Sequence, residues 1–301
     1  MIPYSPLQLL FFFFIYCFFG WIIESTWVSM HQKRFVNRGF MRGPFIPIYG
    51  FGAMTLLLVG TPLLKWPVLV FLAGLFAASL LEYLTGVAME AVFKVRYWDY
   101  SDKPFNFQGH ICLFTSVCWG ILAVLLDYFV HRPIEALSNL LTDKELLLFV
   151  VLVAAYFIMD VSMAFKAAFD LRAVIIKMEK AKEELRIMQK RLDVMLAYAN
   201  ESKNELIEES KEKIEDLRDS IEDRFTRLKN AIEEMPSDIS DKFRGEFVEL
   251  REKFSSINKP DLSKFKNFYK RGIFTGNPTL ASRKFKESLE TVRRYVEKDR
   301  K

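Results

Sequence analysis

Residues 68–93 read VLVFLAGLFAASLLEYLTGVAMEAVF, a mostly apolar run that nevertheless carries two carboxylic acids, Glu82 and Glu90. About 20 apolar residues are enough to cross a hydrocarbon core of about 30 Å as a helix. A carboxylate inside a bilayer costs on the order of 2.5–3.5 kcal/mol, so both acids are expected to face protein or water. One ridge of this helix, at steps of four residues, consists of Gly74, Ala78, Glu82, Gly86 and Glu90. The ridge predicts a central membrane helix against which a second helix packs closely.

Apolar runs on either side of this helix predict four more membrane spans. They cover Leu7–Met30, Pro47–Leu64, His110–Val130 and Glu145–Phe165. Lys and Arg are frequent in the segments 31–43 and 94–109 and after residue 165, whereas the other two connections hold few of them. Because positively charged loops stay in the cytoplasm, the N-terminus is expected outside and the C-terminus inside. The expected fold class is all-α, a polytopic transmembrane bundle of about five helices.

The sequence after residue 165 becomes charged and takes on the period of a coiled coil. Its apolar positions alternate in steps of three and four: Leu171, Val174, Met178, Ala181, Leu185, Met188, Leu192, Met195 and Ala199, then after a slip Ile207, Ser210, Ile214, Leu217, Ile221 and Leu228. This seam predicts a cytoplasmic coiled coil, either continuous or folded back as a hairpin, and a homo-oligomer formed through residues 171–232. Short amphipathic helices follow in a basic segment. The predicted domains are 1–165, 166–235 and 236–301.

Several polar residues are expected at one membrane depth, and they predict a solute or ion site. They are Glu24, Glu82, Glu90, Arg38, Arg42, Arg96, Trp98, Asp99 and Asn106. In this interpretation they line a cavity in the inner leaflet whose acids bind a cation or relay protons, with Glu82 deeper along the path. The alternative is that Glu24 and Glu90 pair with loop arginines and only fasten the loops.

Motifs of several enzyme classes are absent from the sequence. There is no GxxxxGK[ST] phosphate loop, no HExxH, no GxSxG and no zinc-ligand spacing. The cysteines, Cys17, Cys112 and Cys118, lie in apolar runs without CxxC spacing. We therefore expect no ATPase activity in this chain, no catalytic residue, no cofactor, no metal and no nucleic acid partner. An enzyme that acts on lipid within the membrane is not excluded.

A set of short motifs resembles a known family. The motifs are Gly20-Trp21 with Glu24, Asn37-Arg38-Gly39-Phe40, Gly43-Pro44, Pro47-Ile48-Tyr49-Gly50-Phe51-Gly52, Glu82-Tyr83, Glu90, Trp98-Asp99-Tyr100-Ser101, Asn106, Gly109 and Trp119-Gly120. Together, over about residues 8–131, they resemble the bacterial membrane family called Putative ABC-transporter type IV, or CmpB-like permeases. The segment Asn277–Ser282, with Phe285 and Leu289, is similar to that family's C-terminal element, although Gly276-Asn277-Pro278 replaces its usual Ala-Phe-Pro.

The resemblance implies a permease of the bacterial inner membrane, surrounded by the lipid bilayer. The polar residues described above add the hypothesis that it moves a small solute or ion. If transport depends on ATP, a separate ATPase subunit would dock on the cytoplasmic loops or helices. A competing hypothesis is a membrane-anchored scaffold or sensor whose coiled coil recruits partners. The length of the seam favours this second hypothesis.

Overall fold

The computed structural model describes residues 4–199, 214–234, 237–257 and 261–298, and most of these residues are helical. The helices are α1 Pro6–Gln32, α2 Pro47–Gly60, α3 Pro67–Phe93, α4 Leu113–Leu125, α5 His131–Leu140, α6 Asp143–Ala199, α7 Ile214–Glu234, α8 Ser237–Ser256, α9 Phe268–Gly276 and α10 Lys286–Lys298. Strands β1 Asn106–Phe107 and β2 Ile111–Cys112 form a short antiparallel hairpin between α3 and α4. The predicted all-α fold class is confirmed.

Four helices in the described part of the chain are long and apolar enough to cross a membrane. They lie at Pro6–Gln32, Pro67–Phe93, Leu113–Leu140 and Asp143–Ala197. The predicted second span is a shorter apolar helix, Pro47–Leu63. This helix begins at Pro47. Proline has no amide hydrogen, so it suits the first turn of a helix, but it could not donate the hydrogen bond needed if the helix began further upstream.

The chain divides into two compact units. The bundle unit comprises residues 1–172, 264–286 and 296–301, and the helical unit comprises residues 173–263 and 287–295. The bundle unit therefore includes a segment, residues 264–286, that lies far along the sequence from its membrane helices. The predicted domain limits at residues 165 and 235 stay predictions.

Close contacts in the bundle unit occur where α1 and α2 carry glycines. A Cβ atom at Gly20 of α1 would overlap the ring of Tyr49 in α2, and one at Gly50 of α2 would overlap the sulfur of Cys17 in α1. The two helices can approach this closely only because these positions have no side chain. This approach brings Tyr49 next to α1, where Glu24 is located.

The predicted ridge of α3 faces α4. Gly74, Ala78, Glu82 and Gly86 are all buried. A Cβ atom at Gly74 would overlap the Cβ of Ala123 in α4. The hydroxyls of Ser79 on α3 and Ser116 on α4 are 2.7 Å apart and share a hydrogen bond. The close helix packing predicted from the sequence is therefore observed, and it places Glu82 in the interior of the bundle.

The seam positions of the helical unit pack within a single chain. One core contains Leu185, Met188, Leu192 and Met195 of α6, Leu217, Ile221, Phe225 and Leu228 of α7, and Leu250 and Phe254 of α8. The predicted register is correct at most positions, but near its start Ile175 is fully buried and Val174 is not. The predicted positions Ile207 and Ser210 lie outside the described residues. The homo-oligomer through residues 171–232 stays a prediction.

Candidate functional site

A polar cavity of about 190 Å³ lies in the bundle unit among helices α1 to α4. Its wall includes Glu24, Glu82, Arg38 and Trp98, which are four of the nine residues predicted from the sequence. Cys118 also lines it. The structure thus brings together Glu24 and Glu82, two of the three glutamates predicted for the site.

Glu82 is the more deeply buried of the two acids, with 6% of its surface exposed. One carboxylate oxygen accepts a hydrogen bond from the Tyr100 hydroxyl at 3.2 Å, and the other accepts one from the Trp119 indole N–H at 3.0 Å. Both donors are uncharged. The carboxylate therefore has well-oriented hydrogen bonds, but these partners do not neutralise its charge.

Glu24 has a different environment on α1. The Tyr49 hydroxyl donates to its Oε1 at 2.9 Å, and the Arg38 Nε lies 3.6 Å from its Oε2. The remaining guanidinium nitrogens of Arg38 donate to the Asn277 side-chain oxygen at 2.8 Å and to the Tyr97 carbonyl at 3.2 Å. Glu24 is thus paired with a cation whose other donors already have partners.

The loop between α3 and α4 places Trp98 and Tyr100 against the cavity. The Trp98 indole N–H donates to the His110 carbonyl at 2.9 Å, and the Tyr100 amide donates to the Gly109 carbonyl at 2.9 Å. Gly109 has a φ of +74°, a conformation that favours glycine and closes the turn of the hairpin. Burial and the neighbouring Glu82 and Glu24 raise the pKa of Tyr100, so its hydroxyl stays protonated and can donate to Glu82.

Three other predicted residues form a separate ion-pair cluster, with Glu90 near the end of α3 and Arg96 and Asp99 in the loop that follows. Glu90 accepts from the Arg96 guanidinium at 2.7 Å and contacts the His110 Nε2 at 3.1 Å. Arg96 also lies 3.3 Å from Asp99. Although burial alone would raise the pKa of Asp99, hydrogen bonds from Ser101 and the Arg96 charge hold it below its usual value. These contacts support the alternative reading, in which loop arginines fasten Glu90.

Asn106 and Arg42, the last two predicted residues, stabilise the backbone of the loops. The Asn106 amide donates to the carbonyls of Ser101 and Lys103 at 3.2 and 2.8 Å and closes the hairpin loop. Arg42 is 8% exposed and donates to the Gly39 carbonyl at 2.7 Å and the Gly272 carbonyl at 2.5 Å. Neither arrangement directs the side chain at the polar cavity.

The segment 264–286, called here the docking segment, is held against the loops of the bundle unit. Arg42 reaches the Gly272 carbonyl in α9, and the backbone of Arg96 pairs with that of Ala281 through two hydrogen bonds of 2.8 and 3.0 Å. Asn277 is 1% exposed and donates to the Gly39 carbonyl at 3.0 Å. The loop residues Arg38, Arg42 and Arg96 therefore all contact this segment. Arg38 and Arg96 also pair with the acids Glu24 and Glu90.

Replacing Arg42 by Ala is expected to release the docking segment. The substitution removes the Arg42 donors to the buried carbonyls of Gly39 and Gly272. Asn277 still donates to Gly39, so the Gly272 carbonyl is the one that loses its side-chain donor, at a cost of about 1–3 kcal/mol. Amide hydrogen exchange across residues 268–276 should then be at least about tenfold faster. Arg271→Ala, at an exposed position of the same helix, is the matched control. Equal protection in the two variants would show that Arg42 does not hold the segment.

Two larger cavities adjoin the polar one. A cavity of about 410 Å³ shares Glu24, Tyr49 and Trp98 with it. Another cavity, also of about 410 Å³, shares Tyr49 and Trp119. The polar cavity therefore shares wall residues with two mainly apolar cavities of the bundle unit.

Sequence reasoning missed the uncharged groups that hold the two acids. Tyr49, Tyr100 and Trp119 were present in the motifs, but no hydrogen bond from them to an acid was predicted. A tyrosine or tryptophan near a buried acid is a useful signal, because each has an apolar body and one polar donor that needs a partner when buried. Within the described ranges, no group of three or more His, Cys, Asp or Glu side chains is placed to hold a metal ion.

Apolar helices of membrane-spanning length fit a transporter-like membrane protein. Comparison with protein families agrees, because residues 11–165, just over half of the 301-residue chain, match the family described as Putative ABC-transporter type IV. The chain belongs to this family, and the resemblance seen in the motifs is confirmed. The family is compatible with a membrane protein that works with a separate ATPase. Comparisons with curated proteins and with solved structures gave no match.

Proposed function

We propose that this protein is a permease that moves a small solute or ion through the polar cavity between Glu24 and Glu82. The observation that carries the proposal is the environment of Glu82, a buried carboxylate at a cavity wall with hydrogen bonds from the neutral side chains of Tyr100 and Trp119. A buried charge is costly unless it is paired. A cation or a proton that enters the cavity would supply the missing partner.

The position of the cavity also supports a transport path. It shares wall residues with two cavities of about 410 Å³, and in this proposal a solute moves past the shared side chains from one cavity to the next. The acids Glu24 and Glu82 both line the smallest of these three cavities. Transporter sites commonly lie near the middle of the membrane, where the path can be opened to each side in turn.

Cys118 offers a direct test of this path because it lines the polar cavity, whereas Cys17 and Cys112 are buried. We expect membrane-impermeant methanethiosulfonate reagents to modify Cys118 in proteoliposomes. After normalisation to a free thiol, the trimethylammonium reagent should react at least tenfold faster than the sulfonate reagent, because the wall carries two acids and one base. Cys118→Ser gives the background labelling. If Cys118 stays unmodified from both sides of the membrane, the proposed path is wrong.

The proposed permease also has an expected orientation in the membrane and expected partners. The basic residues of segments 31–43 and 94–109 favour a cytoplasmic position for both loops, with the N-terminus outside, in the bacterial inner membrane. A separate ATPase could then dock on those loops or on the helical unit. A homo-oligomer through residues 171–232 would use the outer faces of α6 and α7, since their seam positions already pack within one core.

A membrane-anchored scaffold or sensor is the second candidate function. The observation that favours it is the core shared by α6, α7 and α8, which gives the helical unit an interior of its own. Removing the charge of Glu82 distinguishes the two candidates, because a scaffold should keep its partners after Glu82→Gln whereas a permease should lose its flux. An enzyme acting on lipid is the less favoured proposal, since the cavity acids have no recognised catalytic motif around them.

A further inference from the structure

We propose that the polar cavity and its neighbour form one two-part site for an amphipathic organic ammonium compound. The ammonium group would occupy the polar cavity beside Glu82, and the apolar tail would occupy the 410 Å³ cavity that shares Glu24, Tyr49 and Trp98 with it. This inference deepens the proposed function by naming a class of substrate. Transport of such a compound rests on the proposed function, whereas its binding to the cavities can be measured independently.

Aromatic rings form much of the wall of the polar cavity. Tyr49, Trp98, Tyr100 and Trp119 all line it. The rings of Tyr49 and Trp119 have their centroids 5.8 Å apart at an angle of 42°, so they form a corner rather than a flat stack. Aromatic faces attract cations, and a cage of several rings is the usual way in which proteins recognise quaternary ammonium groups.

The charges of the wall favour a cation over an anion. The acidic and basic wall residues are Glu24, Glu82 and Arg38. Arg38 lies against Glu24, and its other donors contact Asn277 and Tyr97, so Glu82 is the carboxylate without a basic neighbour at hydrogen-bond distance in the described structure. An ammonium group next to Glu82 would restore neutrality. A carboxylate or sulfate group in the same place would add to the negative charge.

The same wall suits an organic cation better than a metal ion. Calcium and magnesium are held by six or more oxygen atoms from protein and water. The hydroxyls of Tyr49 and Tyr100 already donate to Glu24 and Glu82. The carboxylates are thus the main acceptors here, and most of the other wall residues are aromatic or apolar. An alkylammonium group needs only one carboxylate and the ring faces.

The neighbouring cavity provides room for an apolar tail. Its wall includes Phe40, Met89, Phe93, Phe157 and Phe165. The polar cavity, at about 190 Å³, is smaller than the roughly 300–1,000 Å³ of most small-molecule sites, whereas the adjoining cavity of about 410 Å³ falls within that range. The two cavities share Glu24, Tyr49 and Trp98 in their walls, and the proposed molecule extends past these side chains from the acids into the aromatic cavity.

Binding of tritiated octyltrimethylammonium to the full-length protein in nanodiscs tests the inference. We expect saturable binding that tetramethylammonium displaces at a concentration at least tenfold higher, because it lacks the tail. Octyl sulfate should not displace it at matched concentration. Glu82→Gln should weaken binding at least tenfold, and Glu82→Asp, which keeps the charge, should retain most of it. Asp102→Asn, an exposed acid of the same bundle unit, should leave binding within twofold.

Met89→Trp tests the tail cavity separately, because the larger side chain would fill part of it. This variant should weaken octyltrimethylammonium at least fivefold and leave the affinity for tetramethylammonium within twofold. The two-part site is wrong if octyl sulfate competes as well as the cation, if Glu82→Gln binds normally, or if Met89→Trp weakens both cations equally. If Cys118 reacts with thiol reagents but the protein shows no saturable binding, the proposed ligand class is wrong and the proposed path is not. Saturable binding with Cys118 unreactive would overturn the path alone.

Discussion

Replacing Glu82 by Gln is expected to lower protein-dependent cation flux into proteoliposomes at least tenfold. The amide keeps the size of the side chain but removes the charge that faces the cavity. At 4 Å and an effective dielectric constant of about 20, a pair of unit charges interacts with about 4 kcal/mol, so a loss of at least tenfold is a cautious expectation. The measurement is uptake of carbon-14 tetramethylammonium, with sodium-22 uptake in parallel as the inorganic reference.

Glu82→Asp and Asp102→Asn are the controls for this flux experiment. The aspartate keeps the carboxylate and should recover a substantial part of the flux, whereas the exposed Asp102 should tolerate an amide with less than a twofold change. Glu24→Gln is expected to have a smaller effect than Glu82→Gln, because the charge of Glu24 is already compensated by Arg38 at 3.6 Å. Equal flux through the wild-type protein and Glu82→Gln would remove Glu82 from the path.

Gly74→Leu is expected to destabilise the bundle unit by about 1–3 kcal/mol, the usual range for overpacking a well-filled interior. A Cβ atom at Gly74 already overlaps Ala123 of α4, and the Cδ2 of Leu56 in α2 lies 3.1 Å from the same position. The added side chain must therefore push α3 away from its neighbours. The measurement is the midpoint of unfolding of the purified protein in detergent micelles, followed by circular dichroism.

Gly245→Leu is the matched control for this substitution. Gly245 lies in α8, and nothing is within 4 Å of a Cβ atom built there. Both substitutions gain helix propensity, since leucine is favoured over glycine by somewhat less than about 1 kcal/mol in a helix interior. The control should therefore be neutral or slightly stabilising. If Gly74→Leu behaves like Gly245→Leu, α3 and α4 do not pack as closely as the structure indicates.

Local sequence patterns were sufficient to predict the framework of this protein. The ridge from Gly74 to Gly86 follows from a step of four residues and from the burial cost of Glu82, and both depend only on helix geometry and the membrane. The seam of α6 was also predictable because its period extends over several turns. Its register failed near Val174, where Ile175 is buried instead. A period cannot decide between two adjacent β-branched residues.

The partners of the polar residues could not be predicted in the same way. Glu90 pairs with Arg96, six residues away, and this pair was foreseen as one of two readings. Arg38 contacts Asn277, which is 239 residues away, and no local pattern links the two positions. Such contacts depend on how loops fold over the end of the bundle. These contacts show that Glu24 and Glu82 line the cavity whereas other predicted residues hold the loops. Composition alone could not distinguish the two groups of residues.

The docking segment separates two stages in the biosynthesis of this protein. Arg38 and Asn277 are 239 residues apart, and a ribosome adds roughly 5–20 residues per second, so their contact can form only tens of seconds after Arg38 is made. During that interval the apolar helices can enter the membrane while the loop arginines still lack these partners. Insertion and completion of the loop surface are therefore distinct events. A nascent chain arrested before residue 264 would contain all the candidate spans and an unfinished surface around Arg42.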